Sequence, residues 1–465
     1  MRVIICGAGQ VGSTIARHLA SEGIDVTVID SSPEQARQVD ESYDVRGMIG
    51  HAAHPEDLKR AGARGADMLI AVTRYDEVNM VACQVAYSLF NVRRRIARVR
   101  HHGYLEPISH GLYASDQLPI DVIISPELEV ARGIARRLRT PGAFDMVPLA
   151  GGKLQLLGIH CLPPSCPVAG TPLGRLTETT SGNRFAVMAI VRKGRAFVPR
   201  EQDRVECGDD AYVVTEPDRI GDVMAAFGHQ EEVARRVVIV GGGNVGLHLA
   251  KTLKREAPLV SLKVIEQNKD RAELISRQLG KGVVVLHGDA LNKEVLEEAN
   301  IRSAETIVAV TNDDETNIFA SVLAKHEGCQ RAITLVNKAS YEHMLPTFGI
   351  DAVVSPSALT ISTILRHVRH GPILSVYALR EDFGEVIEAE ALAGSRLVSG
   401  PLCETGMPDG MLVGAVVRDG GEVVIPTGDF QTRPGDRITA VVTYKALRKA
   451  EAMLAADEDA RLPGP

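Results

Sequence analysis

The feature that most constrains this chain of 465 residues is a strand-and-glycine pattern that occurs twice. Residues 2–12 have the sequence RVIICGAGQVG, and residues 236–246 have the sequence RVVIVGGGNVG. In each copy an apolar run, typical of a buried strand, leads directly into Gly-x-Gly-x-x-Gly, and apolar residues then recur at helical spacing. The pattern predicts one strand–loop–helix unit in each half of the chain.

The three glycines of each motif have different roles. The first makes the tight turn out of the strand, the second lets backbone approach a pyrophosphate, and the third lets the helix pack closely on the strand. Backbone N–H groups at the start of the helix then face the phosphates. We therefore predict two cofactor-binding loops. Their residues are Gly7, Ala8, Gly9, Gln10, Val11 and Gly12 in the first copy and Gly241, Gly242, Gly243, Asn244, Val245 and Gly246 in the second.

An acidic residue ends the second predicted strand of each copy. Asp30 and Glu266 stand about 20 residues after the last glycine of their loops, where a ribose-binding carboxylate is expected. A carboxylate accepts hydrogen bonds from ribose hydroxyls and repels a 2′-phosphate, and Ser31 and Ser32 rather than arginines follow Asp30. The sequence therefore favours NAD(H) over NADP(H), and ATP and ADP stay open because their ribose satisfies the same carboxylate.

The duplication continues beyond the glycine loops. Residues 67–73 (DMLIAVT) match residues 305–311 (ETIVAVT), and residues 76–79 (DEVN) match residues 314–317 (DETN). A repeat this long indicates duplicated domains rather than a solenoid.

The threonines that end these matched strands have two interpretations. In the first, Thr73 with Asp76 and Thr311 with Asp314 form capping boxes at helix starts. In the second, they lie over a ligand crevice, since open parallel sheets bind ligands at the carboxyl ends of their strands. The two interpretations are compatible. The candidate binding residues here are Thr73, Arg74, Thr311 and Asn312.

Strands and helical patterns alternate in the first part of the chain. We predict strands near residues 2–7, 24–30, 44–49, 67–72, 95–100 and 120–124, with helices between them. Such βαβ crossovers make a parallel sheet with both faces covered. Ser125-Pro126 and Ser355-Pro356 predict a serine N-cap, with proline at the first helical position, for the last helix of each copy.

The texture of the sequence changes after about residue 141. Gly-Gly and Pro-Pro pairs separate short apolar segments, which indicates a small β-rich module, and a similar arrangement recurs near residues 418–437. We predict an α/β fold with two Rossmann-like parallel-sheet domains, each followed by a small α+β module. The predicted ranges are 1–140 and 232–370 for the Rossmann-like domains, 141–229 and 371–456 for the modules, and 457–465 for a flexible tail.

Composition excludes several classes of protein. A net charge of −7, no Trp and 4% aromatic residues argue against nucleic-acid binding. No apolar run is long enough for a membrane helix, and the first strand begins too early to leave room for a signal peptide. Seven scattered cysteines suit a reducing compartment without a disulfide framework. We therefore expect a cytosolic protein.

Two further positions are candidates for ligand contact. His51 and Asp289 follow a glycine at matching places after the third strand, where a surface turn is the simpler explanation. Arg98 lies in the basic run of residues 93–102, which is best explained as a solvated edge, although one arginine there has the reach to bind a phosphate or adenine. Leu335 replaces Arg98 in the second copy, so an arginine role would belong to the first site only.

Other chemistries have weaker support. The pair His51 and His54 and the pair Cys161 and Cys166 lack further spaced ligands, so we predict no metal site. No nucleophile elbow or P-loop occurs. An NAD-dependent oxidoreductase acting on a small metabolite stays the alternative, but it needs an acid–base residue that the two small modules do not share. A redox-sensing repressor would need a helix-turn-helix. A ligand-gated, non-enzymatic regulator fits best.

The motifs and their order resemble a known family. The paired glycine loops with Asp30 and Glu266, the Ala-Val-Thr and Asp-Glu-x-Asn repeats and the interleaved small modules are similar to RCK (KTN) domains. Two complete sets without a membrane pore resemble the cytosolic, NAD-binding regulatory subunits of bacterial Trk potassium-uptake systems. The likeness covers roughly residues 1–456, and on it the small modules correspond to RCK C-terminal modules.

The resemblance implies a homo-oligomeric ring in the cytoplasm, held peripherally at the inner face of the membrane by a potassium-translocating subunit. It implies NAD(H) and ATP or ADP in the Rossmann clefts, with ligand exchange changing the shape of the ring and the activity of the pore. The residues it implies are Gly7, Gly9, Gln10, Val11, Gly12, Asp30, Thr73 and Arg98 in the first site and Gly241, Gly243, Asn244, Val245, Gly246, Glu266, Asp289 and Thr311 in the second.

Overall fold

The computed structural model describes residues 1–105, 111–113, 117–162, 166–176, 185–342, 344–368, 372–380 and 383–456. The chain divides into two compact units, Met1–Val130 with Ser355–Ile364 and Ala131–Val354 with Leu365–Pro465. The domain boundaries drawn from the sequence stay a prediction, and the predicted flexible tail lies outside the described residues.

The first unit contains a six-stranded parallel sheet with strand order β3-β2-β1-β4-β5-β6. Its strands are β1 (Arg2–Cys6), β2 (Asp25–Asp30), β3 (Arg46–Ile49), β4 (Met68–Ala71), β5 (Arg94–Arg98) and β6 (Val122–Ile124). The helices of this stretch of chain are α1 (Gln10–Ser21), α2 (Pro33–Ser42), α3 (Pro55–Arg60), α4 (Asp76–Phe90), α5 (His102–Leu105) and α6 (Pro126–Arg139). All six predicted strands are confirmed, with ends that shift by one or two residues.

The position of the crevice follows from this strand order. The order reverses between β1 and β4, which is where an open parallel sheet leaves room for a ligand beyond its carboxyl ends. Four of the five β1 residues are buried, because helices cover both faces of this central strand. The loops after β1 and β4 therefore flank the predicted site.

A five-stranded antiparallel sheet in the second unit follows, with order β10-β9-β11-β8-β7. It consists of β7 (Ala143–Leu149), β8 (Leu154–His160), β9 (Phe185–Arg192), β10 (Arg195–Phe197) and β11 (Asp210–Thr215), with α7 (Ile220–Ala226) after it. The prediction of a small β-rich module is confirmed.

The second parallel sheet repeats the first, with order β14-β13-β12-β15-β16-β17. Its strands are β12 (Arg236–Val240), β13 (Ser261–Glu266), β14 (Val283–His287), β15 (Thr306–Ala309), β16 (Arg331–Leu335) and β17 (Ala352–Val354). The helices of this stretch are α8 (Asn244–Glu256), α9 (Lys269–Leu279), α10 (Lys293–Glu298), α11 (Asp314–His326), α12 (Ala339–Glu342) and α13 (Pro356–Val368).

A second five-stranded antiparallel sheet completes the chain, with order β18-β19-β22-β20-β21. Its elements are β18 (Ile373–Arg380), β19 (Gly384–Glu390), β20 (Met411–Val417), β21 (Val423–Val424), β22 (Arg437–Thr443) and α14 (Leu447–Leu454). The expected fold class, two Rossmann-like parallel sheets each followed by a small β-rich module, is thus confirmed.

The two antiparallel sheets share one apolar core inside the second unit. Leu156 and Met188 of the first sheet and Val386 and Val441 of the second belong to a single buried cluster. The pairing lets each small sheet bury a face that it is too small to cover alone.

A buried polar contact links the same two sheets. The Tyr377 hydroxyl donates to Asp145, whose other carboxylate oxygen accepts from Arg137 Nη2 at 2.5 Å. Burial raises the pKa of Tyr377 well above its usual value, so this side chain stays a hydrogen-bond donor. The contact satisfies polar groups that the shared core removes from water.

The cysteines depart from the expectation in one place. Cys161 and Cys166 form a disulfide, against the predicted absence of a disulfide framework. Among the free cysteines, Cys6 and Cys83 are buried, and burial raises the pKa of the Cys6 thiol to about 12. Such a thiol is an inert core residue.

The predicted serine caps are wrong. Both helices begin at the expected proline, Pro126 in α6 and Pro356 in α13. The Ser125 hydroxyl, however, is buried without a partner among the described residues, and the Ser355 hydroxyl bonds that of Ser357 at 2.9 Å. Proline, whose fixed φ suits a first helical turn, sets these boundaries without the serine hydroxyls.

In the part of the chain that the structure describes, no helix combines the length and apolar character needed to cross a bilayer.

Candidate functional site

The first glycine loop joins β1 to α1 and separates two kinds of glycine. Gly7 has φ +107°, and a Cβ on Gly12 would lie 1.8 Å from the Gly7 carbonyl oxygen, so the fold itself requires both glycines. A Cβ on Gly9 would meet no atom of the described residues within 4 Å. The space beside Gly9 is therefore open, as a site for close approach of a ligand to backbone requires.

The second loop, between β12 and α8, repeats this division. Gly241 has φ +100°, and a Cβ on Gly246 would lie 1.9 Å from the Gly241 carbonyl oxygen. A Cβ on Gly243, like one on Gly9, would meet no described atom within 4 Å. The repeat of the open position in both loops argues that it has a common purpose.

The helices that follow both loops begin without a cap. Gly9 and Gly243 are the N-cap residues of α1 and α8, and within the described residues neither helix start has a side-chain cap or an acidic residue in its first turn. The first N–H groups and the positive end of the helix dipole therefore face the open space. Gln10 and Asn244 are exposed at these helix starts. Such a terminus is suited to a phosphate group.

The two acids contact the glycine loops directly. Asp30 Oδ2 accepts from Ala8 N at 2.6 Å, and its Oδ1 accepts from Ser32 N at 2.8 Å. An ionised carboxylate has about four acceptor positions, so each oxygen retains capacity for a ribose hydroxyl. The structure thus brings the predicted carboxylate to the predicted loop.

The second acid has the same arrangement with one addition. Glu266 Oε2 accepts from Gly242 N at 2.7 Å, and its Oε1 accepts from Asn268 N at 2.8 Å. In addition, Arg271 Nε donates to the Gly242 carbonyl oxygen at 2.8 Å. Sequence analysis missed Arg271; the available signal was a base five residues after Glu266 where the first copy has Gln35.

Thr73 lies at the end of β4, beside the turn of the first loop. A Cβ on Gly7 would lie 3.1 Å from Thr73 N, so the two loops touch. Thr73 N and Oγ1 both donate to Asn79 Oδ1, at 2.9 and 2.7 Å, and Asn79 is completely buried. The strand end is therefore held in place by an asparagine to which sequence analysis gave no role. Its recurrence as Asn317 was the signal.

The predicted capping boxes are wrong in both halves. Asp76 does not cap α4: its carboxylate accepts from Arg100 N, at 3.0 and 2.9 Å, and from His101 N, at 2.7 Å. Asp314 binds the chain after β16 in the same way. The buried acids satisfy N–H groups of the neighbouring loop, because these donors lack a strand partner beyond the sheet edge.

Thr311 repeats the geometry of Thr73. Its N and Oγ1 donate to Asn317 Oδ1 at 2.8 and 2.7 Å. The next residues, Arg74 in the first copy and Asn312 in the second, are exposed, and Arg74 lies over the Tyr75 ring at 4.7 Å. Both threonines lie near a glycine loop, and a ligand role for them stays a prediction.

Arg98 is already engaged inside the first unit. Its Nη2 donates to Glu127 Oε1 at 3.4 Å, and Arg100 Nε donates to the same oxygen at 2.7 Å. Burial lowers the pKa of Arg98 from its usual value, with the negative charge of Glu127 opposing that effect. Arg98 Nε has no partner among the described residues, so the guanidinium retains a donor for a ligand at the end of β5.

His51 and Asp289 make local turns. His51 N donates to Asp57 Oδ2 at 2.8 Å, its Nδ1 accepts from Ala53 N at 3.3 Å, and its ring stacks on His54 with centroids 4.3 Å apart. Asp289 Oδ1 accepts from Leu291 N at 2.9 Å. These contacts favour the surface-turn explanation, and ligand contact by either residue stays a prediction.

No group of three or more His, Cys, Asp or Glu side chains with metal-binding geometry occurs in the described ranges. The site that the structure assembles is therefore described by backbone N–H groups, one carboxylate and a threonine at each loop.

Comparison with known proteins identifies relatives of the whole chain. Residues 3–126 and 237–356 each match the family model of the TrkA-N domain. The Trk system potassium uptake protein TrkA of Azorhizobium caulinodans is 45% identical over 451 residues, which cover 97% of this chain and 98% of the relative. The protein of that name from Halomonas elongata is 40% identical over 448 residues, which cover 96% of each chain.

Solved structures share the fold at lower identity. The GsuK RCK domain superposes with a TM-score of 0.62 at 20% identity, covering 97% of this chain and 94% of that chain. The GsuK channel bound to NAD superposes with a TM-score of 0.61 at 20% identity, covering 97% and 78%. At this identity the likeness shows the RCK fold alone.

Proposed function

This chain belongs to the TrkA family of Trk-system potassium uptake proteins, and on that premise we propose that it is a non-catalytic, nucleotide-sensing regulatory subunit of a potassium-uptake system. The observation that carries the proposal is the pair of glycine loops, each with an open central glycine, an uncapped helix start and a carboxylate that contacts the loop. The solved GsuK channel, which shares the fold, binds NAD.

The residues present fit NAD(H). Its pyrophosphate would lie at Gly9 in the first crevice and at Gly243 in the second, where backbone is open and helix N–H groups lack a side-chain cap within the described residues. Its adenosine ribose would bind Asp30 or Glu266, because each carboxylate oxygen accepts one backbone N–H and has capacity for another donor. ATP and ADP present the same ribose and phosphates.

Further contacts to the nucleotide belong to the same proposal. Thr73 and Thr311 lie beside the first glycine of each loop, and Arg98 offers a donor at the end of β5. Arg74, His51, Asp289 and Asn312 lie at the ends of neighbouring strands. We assign these residues to the rim of the crevices, where ligand identity is sensed.

The bound nucleotide would act by shifting a conformational equilibrium. A ligand changes the activity of a partner only through different affinities for two states, and a coupling of about 1–3 kcal/mol gives a 5- to 150-fold effect. We place the chain in the cytoplasm as a homo-oligomer, bound to the inner face of the membrane through a potassium-translocating subunit. No chemical step is required of the chain.

The test combines binding with flux. NADH, NAD, ATP and ADP would be titrated calorimetrically into the purified chain, and potassium flux would be measured in vesicles containing the chain and its membrane subunit. We expect up to two nucleotides per chain and a flux that depends on which nucleotide is present. The double variant Gly9→Ala with Gly243→Ala is the matched control, because neither added methyl group meets a described atom within 4 Å.

Two results would refute the proposal. Absence of nucleotide binding would remove the sensor, and a flux indifferent to bound nucleotide would remove the coupling. Steady reduction of NAD by the purified chain with a metabolite extract, followed at 340 nm, would favour the oxidoreductase instead.

A further inference from the structure

The second glycine loop has a charged neighbour that the first lacks. Arg271 lies in the first turn of α9, and its Nε donates to the Gly242 carbonyl oxygen at 2.8 Å. Gly242 N in turn donates to Glu266 Oε2 at 2.7 Å. One loop residue therefore bridges the guanidinium and the carboxylate that receives the ribose. The two Nη groups of Arg271 have no protein partner among the described residues.

Arg271 is fixed before any ligand arrives. The Asn268 side chain caps α9 by accepting from Arg271 N at 2.9 Å, and Asn268 N donates to Glu266 Oε1 at 2.8 Å. The acid, the cap and the arginine thus form one connected set of hydrogen bonds. A guanidinium held in this way loses less conformational freedom when it binds an anion.

The first crevice has a different charge at the matching place. Ser32 caps α2 by accepting from Gln35 N at 3.4 Å, so Gln35 takes the position of Arg271. From the acid to this position the first copy has two acidic residues and no base, whereas the second has two acidic and two basic residues. The ribose end of the second crevice is therefore the less negative of the two.

The loops also differ at one residue. Ala8 of the first loop is replaced by Gly242, where a Cβ would lie 2.4 Å from Ile275 Cδ1 and 3.0 Å from Glu266 Oε2. The second loop thus lies closer to its acid and to α9 than a side chain at this position would permit. This close approach lets Arg271 reach the loop carbonyl.

From these contacts we propose that Arg271 is a specificity-determining residue that lets the second crevice accept a 2′-phosphorylated adenine ribose, as in NADP(H), while the first crevice excludes it. A carboxylate alone repels a 2′-phosphate, and an arginine beside it offsets that charge. The free edge of the guanidinium presents donors in a geometry that matches phosphate oxygens. The inference rests on the proposed nucleotide sensing and adds a difference in ligand class between the two sites.

The experiment uses the full chain and two probes that differ by one phosphate, 5′-AMP and adenosine 2′,5′-bisphosphate. Calorimetry should show two 5′-AMP sites per chain and one bisphosphate site. Arg271→Gln should weaken bisphosphate binding about tenfold or more, the range of a lost charged hydrogen bond, and change 5′-AMP affinity by less than about threefold. Arg271→Lys, which keeps the charge without the fork, should fall between.

The matched gain-of-function variant is Gln35→Arg in the first crevice. It should create a second bisphosphate site, and it decides the question if Arg271→Gln fails to fold. Equal loss of both probes in Arg271→Gln would overturn the inference, because Arg271 would then only build the loop. Bisphosphate binding to both crevices or to neither, with 5′-AMP bound, would overturn it and leave nucleotide sensing intact. Failure of NADH and both probes to bind would refute the proposed function itself.

Discussion

Asn79 holds Thr73 at the end of β4 through three hydrogen bonds: its Oδ1 accepts from Thr73 N and Oγ1, and its Nδ2 donates to Thr73 O at 3.1 Å. The same Nδ2 donates to the Arg98 carbonyl oxygen at 2.9 Å, which ties the ends of β4 and β5 together. Asn317 makes the matching contacts with Thr311 and with Leu335 O. One buried amide in each half therefore fixes two strand ends beside the crevice.

Removing this amide should cost stability and order at the strand end. Asn79→Ala leaves the Thr73 N–H and the Arg98 carbonyl buried without partners, and we expect a loss on the order of 2–4 kcal/mol in free energy of unfolding. Urea unfolding and hydrogen exchange at Thr73 measure it. Asn79→Asp, which keeps the acceptor and loses the donor, should cost less. A change below about 0.5 kcal/mol in Asn79→Ala would contradict the assigned role.

The carboxylate of Asp30 should contribute to nucleotide affinity in the first crevice. Asp30→Ala removes the acceptor for the ribose hydroxyls as well as the partner of Ala8 N, so we expect NADH binding at this site to weaken by about 1.5–3 kcal/mol. Calorimetry on the full chain reports both sites, and the second site serves as the internal control. Unchanged affinity at both sites would refute the assignment of Asp30.

The glycines of one loop should fail in different ways. Gly9→Ala adds a methyl group where no described atom lies within 4 Å, so we expect a folded chain that binds nucleotide at least about tenfold more weakly at the first site. Gly12→Ala drives its methyl group toward the Gly7 carbonyl oxygen, so we expect a loss of stability of about 1–3 kcal/mol or more. Thermal unfolding and NADH titration of both variants separate the two effects. Normal NADH affinity in Gly9→Ala would show that no ligand approaches this position.

The carboxyl group of Glu315 should titrate far below its usual range. Hydrogen bonds from Lys338 Nζ at 2.8 Å and from the Tyr341 hydroxyl at 2.7 Å lower its pKa from 4.5 to about 2. Because the folded pKa is lowered, the stabilisation is present above the unfolded pKa and is lost as pH falls through about 2. Carboxyl-carbon NMR should show this midpoint. Lys338→Met should raise the pKa, and Tyr341→Phe should raise it less; a Glu315 midpoint near 4.5 in the native chain would contradict the contact.

Much of the architecture could be predicted because it follows from local pattern. Apolar runs and the glycine motif predicted the six strands of the first sheet, and the repeat of the motif predicted the second. The capping boxes failed because their sequence signature is local, whereas Asp76 and Asp314 bind N–H groups more than twenty residues away in the chain. Arg271 escaped notice because its significance depends on contact with a loop carbonyl, which no spacing rule contains.

By itself the sequence determined the duplicated order of elements, the position of both glycine loops and the acids that end β2 and β13, since each follows from short-range pattern and backbone sterics. Only the tertiary structure decided which partners the buried polar groups take, that the two antiparallel sheets share a core, and that Arg271 accompanies the second acid alone. The physical reason is that a buried donor or acceptor must find its partner in space, and the fold brings that partner from a distant part of the chain.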